Sequence, residues 1–151
     1  MYPKDNVKVT QQHLEDYDCI VTYHGRVLAN EIKRYYVTND HACFMCTQEV
    51  RFDEVDALQA DVVGTGVSAW DTRYFHPKEL TFSRYQRMSD LVFSLEARKQ
   101  NKFMGIFPHK ANWIRAQGVQ SSIYDTESRG HQRFQIELAT EIVKLRGQNS
   151  E

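Results

Sequence analysis

The stretch that decides the fold is "GTGVSAWDTRYFHPKELTFSRYQRMSDLVFSLEA", Gly64 to Ala97. It reads as a short strand, then a loop crowded with polar and aromatic side chains, then a helix. Tyr85, Met88, Leu91, Val92 and Leu95 recur at helical spacing, and Thr81 or Ser83 is placed to cap a helix from about Phe82 to Lys99. Between strand and helix gather Trp70, Asp71, Arg73, Tyr74, His76, Glu79 and Arg84, more chemistry than a connection requires. Loops held by rigid elements are where binding groups concentrate.

Downstream, "NKFMGIF" reads as a strand ended by Pro108, and "GVQSSIYDTE" as another. Phe134, Leu138, Ile142 and Leu145 form the apolar stripe of a final helix, with Ser128 as its cap and Gly147 as its stop. The order strand, helix, strand, strand, helix predicts an α+β fold, a ferredoxin-like sheet with two helices packed on one face. Its last strand is missing from this half, and "DCIVTY" from the N-terminal half has the length and character to supply it.

Upstream lies a strand-rich segment. Cys19 to Tyr23 reads as a strand, Gly25 as a turn or bulge, and "EIKRYYVTND" as a continuing strand closed by Asn39 and Asp40. "ACFMCTQEVRF" has no clean period and fits strand or helix, while "FDEVDALQA" has the acidic start of a short helix. "ADVVGTGVSAW" reads as one buried strand. Gly64 and Gly66 within it lack the lysine of a P-loop and the third glycine of a dinucleotide site, so close backbone approach to a neighbour or a small ligand explains them better than a phosphate cradle.

The 151 residues suit a single domain, 1–151, and 41% hydrophobic with 26% charged residues is the balance of a folded chain. A net charge of −1 with interspersed signs gives no field to collect nucleic acid. No apolar run is long enough to span a membrane and the N-terminus is polar, so a cytoplasmic protein is expected. Three cysteines argue against a disulfide framework. Cys43 and Cys46 with His41 in "HACFMC" supply too few ligands to define a zinc site, and the bland reading is a partly buried strand or helix. Neither metal nor cofactor is expected.

The pattern "VSAW…R…ELTFSRYQRM" resembles the strand-loop-helix segment of phage-encoded S-adenosylmethionine-degrading enzymes, the SAM lyases formerly called SAM hydrolases. The matching positions are Val67, Ser68, Ala69, Trp70, Arg73, Glu79, Ser83, Arg84 and Met88. Further on the likeness thins to Gly105, Trp113, Arg115 and the order of elements, about a third of the chain in all. The family's functional glutamate on the strand after the first helix has no counterpart in "GIFPHK", so no catalytic carboxylate is carried over. The resemblance implies cleavage of S-adenosylmethionine to methylthioadenosine and homoserine lactone, an anti-restriction role, and a homo-oligomer, a trimer being the candidate, with sites shared between subunits.

That reaction needs little acid-base machinery, because the substrate's own carboxylate attacks its γ-carbon. Trp70, Tyr74 and Tyr85 are candidate faces for adenine and sulfonium, Arg73 or Arg84 for the substrate carboxylate, Ser68 and Ser83 as hydrogen-bond donors, and Glu79 or Asp71 to offset the sulfonium. Each has a structural alternative: Ser83 as a helix cap, Tyr85 and Met88 as core, Glu79 serving the helix dipole, Arg73 and Arg84 as surface charges.

Two further groupings are weaker. Asp125, Glu127, Arg129 and His131 in "YDTESRGHQRF" read as a solvated capping region or an anion site. His109, Lys110, Trp113 and Arg115 in "FPHKANWIRAQ" could stack on a base. Against the enzyme stand a non-enzymatic phage or bacterial accessory protein, which binds a nucleotide-like molecule or inhibits a host protein, and a metal-stabilised domain built on "HACFMC".

Overall fold

The computed structural model describes residues 2–36, 41–77, 87–115 and 132–148. Helix α1 is Asn6–Asp16, followed by strands β1 (Ile20–Thr22), β2 (Gly25–Val27), β3 (Ala42–Phe44), β4 (Leu58–Gln59) and β5 (Val62–Val63). A 3-10 turn, Thr65–Val67, leads to β6 (Ser68–Ala69), and then come α2 (Ser89–Lys99), β7 (Met104–Ile106) and α3 (Arg133–Gln148). The strands form a four-stranded sheet, β4-β7-β1-β6, and a three-stranded sheet, β3-β2-β5.

The mixed α+β content agrees with the sequence, and the N-terminal strand does enter the sheet. β1 lies parallel to β7, with Ile20 opposite Met104, and antiparallel to β6, with Val21 opposite Ala69. Its three residues are all buried, as a central strand covered on both faces demands. The expected strand "GVQSSIYDTE" and the cap Ser128 lie outside the described residues.

Several elements differ from the sequence reading. α2 begins at Ser89 rather than near Phe82, because Arg87 holds φ at 63°, a left-handed conformation that no right-handed helix passes through. "ADVVGTGVSAW" is divided, since β5 and β6 belong to different sheets with the 3-10 turn between them. "FDEVDALQA" is not a helix: Leu58 and Gln59 pair with Ile106 and Gly105 of β7. Residues 31–36 form no strand; the N–H groups of Tyr35 and Tyr36 donate instead to Gln132 Oε1, at 2.7 and 3.1 Å. "ACFMC" contributes strand β3, and Gly147 lies inside α3 rather than ending it. α1 has no clear apolar signature in the sequence, because the side it half-buries, Asn6, Val9, Thr10, His13 and Leu14, is more polar than apolar.

α2 is buried on nearly every side. Phe93 and Ala97, four residues apart, join Ile20, Ala60, Val63, Phe75, Met104 and Ile106 in one apolar cluster. Leu91 and Leu95, on a different face, join Leu138, Ala139 and Ile142 of α3 with Leu28, Tyr35 and Val62 in another. A helix apolar on two faces is a central helix, and α3 closes its outer side.

Between those faces runs a polar row. Asp90, Ser94 and Arg98 recur every four residues, a rise of about 6 Å per step on a helix. They meet Thr65, Val63 and Asp61, which recur every two residues, about 6.6 Å per step on an extended chain. The two repeats nearly match. Asp90 Oδ1 accepts from Thr65 N–H at 2.8 Å, Ser94 Oγ accepts from Val63 N–H at 3.0 Å, and Arg98 Nη2 donates to Asp61 Oδ1 at 3.2 Å.

Asp61 is the junction of this row with the rest of the chain. Its other oxygen accepts from Leu28 N–H at 2.8 Å and from Arg146 Nη1 of α3 at 2.6 Å. Asp61 is 2% and Arg98 5% exposed. Arg98 also donates to Ala60 O at 3.1 Å, and Arg146 to Leu28 O at 3.1 Å and Asn30 Oδ1 at 2.7 Å. A buried carboxylate facing two guanidiniums and a backbone N–H is well satisfied, and removing it strands a buried cation.

Among the described residues no helix is long and apolar enough to cross a membrane. Replacing Asp61 by Asn is expected to cost about 3–5 kcal/mol in urea unfolding, the penalty for breaking a buried pair on one side. Ser94→Ala, which leaves the buried Val63 N–H without its acceptor, is expected to cost about 1–3 kcal/mol.

Candidate functional site

The crowded loop after β6 is held at both ends. Trp70 packs on Phe93 and Phe75, with ring centroids 4.8 and 6.2 Å away, and Phe75 is fully buried against Phe93. Between these anchors Asp71 shapes the turn: its Oδ1 accepts from Arg73 N–H at 2.7 Å, and its carbonyl accepts from Tyr74 and Phe75 N–H at 3.0 Å. Tyr74 Oη accepts from Phe103 N–H at 3.0 Å, and Lys102 Nζ sits 4.4 Å from the Tyr74 ring centroid. His76 O accepts from Gln100 Nε2 at 3.0 Å. Much of the residue content of this loop therefore serves to tie it to α2 and β7.

Arg73 and Tyr74 do reach a common cleft. It is open, about 690 Å3, and runs between the end of α1 and the Asp71–Tyr74 turn, with Gln11, Leu14, Glu15, Tyr17, Asp18 and Cys19 on its other side. Three acidic residues, Glu15, Asp18 and Asp71, and one arginine, Arg73, line it. The Arg73 guanidinium grips Asp71 through Nε (3.0 and 3.1 Å) and Nη2 (2.5 Å), while its side chain stays 90% exposed. The hydrogen bonds from Arg73 hold the Asp71 carboxyl down at about 2, so it stays charged at neutral pH and carries no proton. Cys19 is the reverse case: burial pushes its thiol up to about 11, which removes it as a nucleophile.

Ser68 and Trp70 lie elsewhere. Ser68 Oγ is 2.8 Å from Gly64 O and 2.9 Å from Thr22 Oγ1, bridging the 3-10 turn to β1, and it faces a separate groove beside Tyr2 and Val7. Trp70 is half-buried against the core, and its buried Nε1 has no partner among the described residues. Glu79, Ser83, Arg84 and Tyr85 lie outside the described residues, as do Asp125, Glu127, Arg129 and His131.

The other sequence candidates have structural employment. His41 accepts from Ala29 N–H at Nδ1 (3.3 Å) and donates from Nε2 to Arg34 O (3.0 Å), so its ring is committed to backbone rather than to the thiols of Cys43 and Cys46. Among the described residues no three His, Cys, Asp or Glu side chains come together to hold a metal. His109 is buried with Nδ1 3.0 Å from Phe107 O, and Trp113 lies edge-on to Tyr23 at 4.8 Å, while Lys110 and Arg115 are exposed. Those aromatics form a core cluster rather than a stacking platform.

A second, smaller cavity has a volume of about 90 Å3, and of the Gly64-x-Gly66 pair only Gly64 borders it. It is lined by His24, Arg26, Tyr35 and Tyr36, the end of β5, and the first turn of α2. Gly25 and Gly64 border it because nothing larger fits: a Cβ on Gly25 would sit 2.9 Å from Val62 O, and one on Gly64 3.1 Å from the His24 side chain. A Cβ on Gly66 would meet nothing, so close approach explains Gly64 and not Gly66.

Compared with family models and with curated proteins, the chain matches none.

Trp70→Ala is expected to destabilise the protein by about 3 kcal/mol, the cost of truncating a packed aromatic, whereas Arg73→Ala should leave thermal stability within about 0.5 kcal/mol. Burial lowers His24 and His13 below their ordinary 6.5, with Arg26 adding to the effect at His24. The unfolded chain then takes up these protons more readily than the folded one, so stability present above about pH 6.5 is lost as pH falls through the lowered values. His24→Gln should flatten the fall in Tm between pH 7 and 5; an unchanged slope would contradict this assignment.

Proposed function

We propose that the protein binds S-adenosylmethionine in the cleft between α1 and the Asp71–Tyr74 turn and cleaves it to methylthioadenosine and homoserine lactone. The observation that carries this reading is the charge of the cleft. Glu15, Asp18 and Asp71 face a volume of about 690 Å3, within the usual range for a small-molecule site, and suit a cation better than an anion. A sulfonium is such a cation, and Tyr17 and Tyr74 offer aromatic surface beside it.

The likeness of Val67–Met88 to the SAM lyase segment supplies the identity of the cation. In that reaction one oxygen of the substrate's carboxylate attacks its own γ-carbon, the carbon–sulfur bond breaks, and the electron pair returns to sulfur. Positive charge vanishes from the sulfur as the lactone closes, and no proton must be moved. An Asp71 ionised at neutral pH and an unreactive Cys19 are compatible with such a step, in which the protein orients the tail and excludes water. Arg73, with Nη1 uncommitted among the described residues, is placed to hold the substrate carboxylate. A ferredoxin-like arrangement of the second half, a homo-oligomeric assembly with shared sites and an anti-restriction role belong to the same proposal.

Incubating the purified protein with S-adenosylmethionine and resolving products by mass spectrometry tests it. Methylthioadenosine with homoserine lactone is the expected result, and Asp71→Asn should lower kcat/KM about tenfold, a loss of ~1.4 kcal/mol. Intact substrate in the presence of folded protein would overturn the enzyme and leave a binding module.

A further inference from the structure

We propose that the cavity between β2, the end of β5 and the first turn of α2 binds a small oxyanion, a phosphate or sulfate group, on the guanidinium of Arg26. It shares no lining residue with the Asp71–Tyr74 cleft and stands independently of the reading above.

Arg26 is half-buried, yet no carboxylate pairs with it among the described residues. Its guanidinium lies over the ring of Tyr35, 4.4 Å from the centroid, and 5.6 Å from that of Tyr36. Nη1 donates to Tyr35 O at 3.0 Å, which fixes the plane of the fork. A guanidinium carries five N–H donors, and this single bond leaves most of them for a ligand. Two aromatic faces behind it and one backbone carbonyl beside it hold the group in position before anything binds, which lowers the entropic cost of binding.

The opposite wall reinforces the choice of an anion. The first turn of α2, Ser89 to Leu91, borders the cavity and presents the positive end of an 11-residue helix. Asp90 contributes the one carboxylate on the described wall, and it is turned to Thr65, accepting from its N–H at 2.8 Å and its hydroxyl at 2.5 Å. A volume of about 90 Å3 suits a compact oxyanion and lies far below the ~300 Å3 at which pockets for whole small molecules usually begin. A larger ligand would therefore place only its phosphoryl group here.

Thermal shift and calorimetric titration with inorganic phosphate, against chloride at matched ionic strength, test the assignment. The wild-type protein should gain Tm with phosphate by mass action, and Arg26→Gln should lose at least tenfold in affinity. A phosphomonoester that binds more tightly than inorganic phosphate would place the group on a larger ligand, and equal affinity would assign the free ion. Should Arg26→Gln fail to fold, the His24 ring resonances of the wild-type protein provide the second readout, and phosphate but not chloride should move them. No phosphate binding by the wild type, or equal binding by Arg26→Gln, would overturn the proposal.

Discussion

The structure depends on the polar row that fastens α2 to the chain beside it. A helix rises about 6 Å in four residues and an extended chain about 6.6 Å in two, so side chains at Asp90, Ser94 and Arg98 can each find a partner at Thr65, Val63 and Asp61 without strain. Three consecutive matches fix the helix in register and in rotation. Once rotation is fixed, Phe93 and Ala97 have one cluster to enter, and Leu91 and Leu95 another. α3 then docks on the second cluster, and its Arg146 returns to the same Asp61.

Both candidate sites are consequences of that placement. The N-terminal end of the row sets the first turn of α2 against β2, which forms the cavity around Arg26. Phe93 on the buried face receives Trp70 and Phe75, and these two anchors present the Asp71–Tyr74 turn to α1. The cleft wall is thus rigid where it meets the core, and its exposed group, Arg73, is steadied by Asp71 alone among the described residues. Loop chemistry on a packed scaffold is the usual economy of binding sites.

The sequence made the apolar skeleton legible. Leu91 and Leu95 at helical spacing, the buried run of Cys19 to Tyr23 and the "FMGIF" strand all take the forms their patterns predict, since burial imposes period on sequence. Its failures come from contacts that leave no period. α1 leaves little apolar period because its half-buried side, Asn6, Val9, Thr10, His13 and Leu14, is more polar than apolar. Leu58–Gln59 is strand because β7 has a free edge, which outweighs the helical look of "FDEVDALQA". The richness of the loop is visible in the sequence, but the packing roles within it are not: Trp70 lies against the core and Ser68 bridges a turn to β1. Asp61 carries a signal, as the lone charge beside the apolar run of Val62 and Val63, whereas Arg98 sits among Glu96, Lys99 and Lys102 and carries none. Arg26 left none, because its tyrosine partners are nine and ten residues away in an irregular segment.

Native-state hydrogen exchange at the Val63 amide tests the account most directly. Its N–H is bonded to a side chain of α2, so it should be released only when the helix leaves β5. The account predicts exchange with the free energy of global unfolding, alongside the amides in the middle of α2. Exchange through a low-energy local opening, with α2 still protected, would contradict the claim that the polar row holds the fold together.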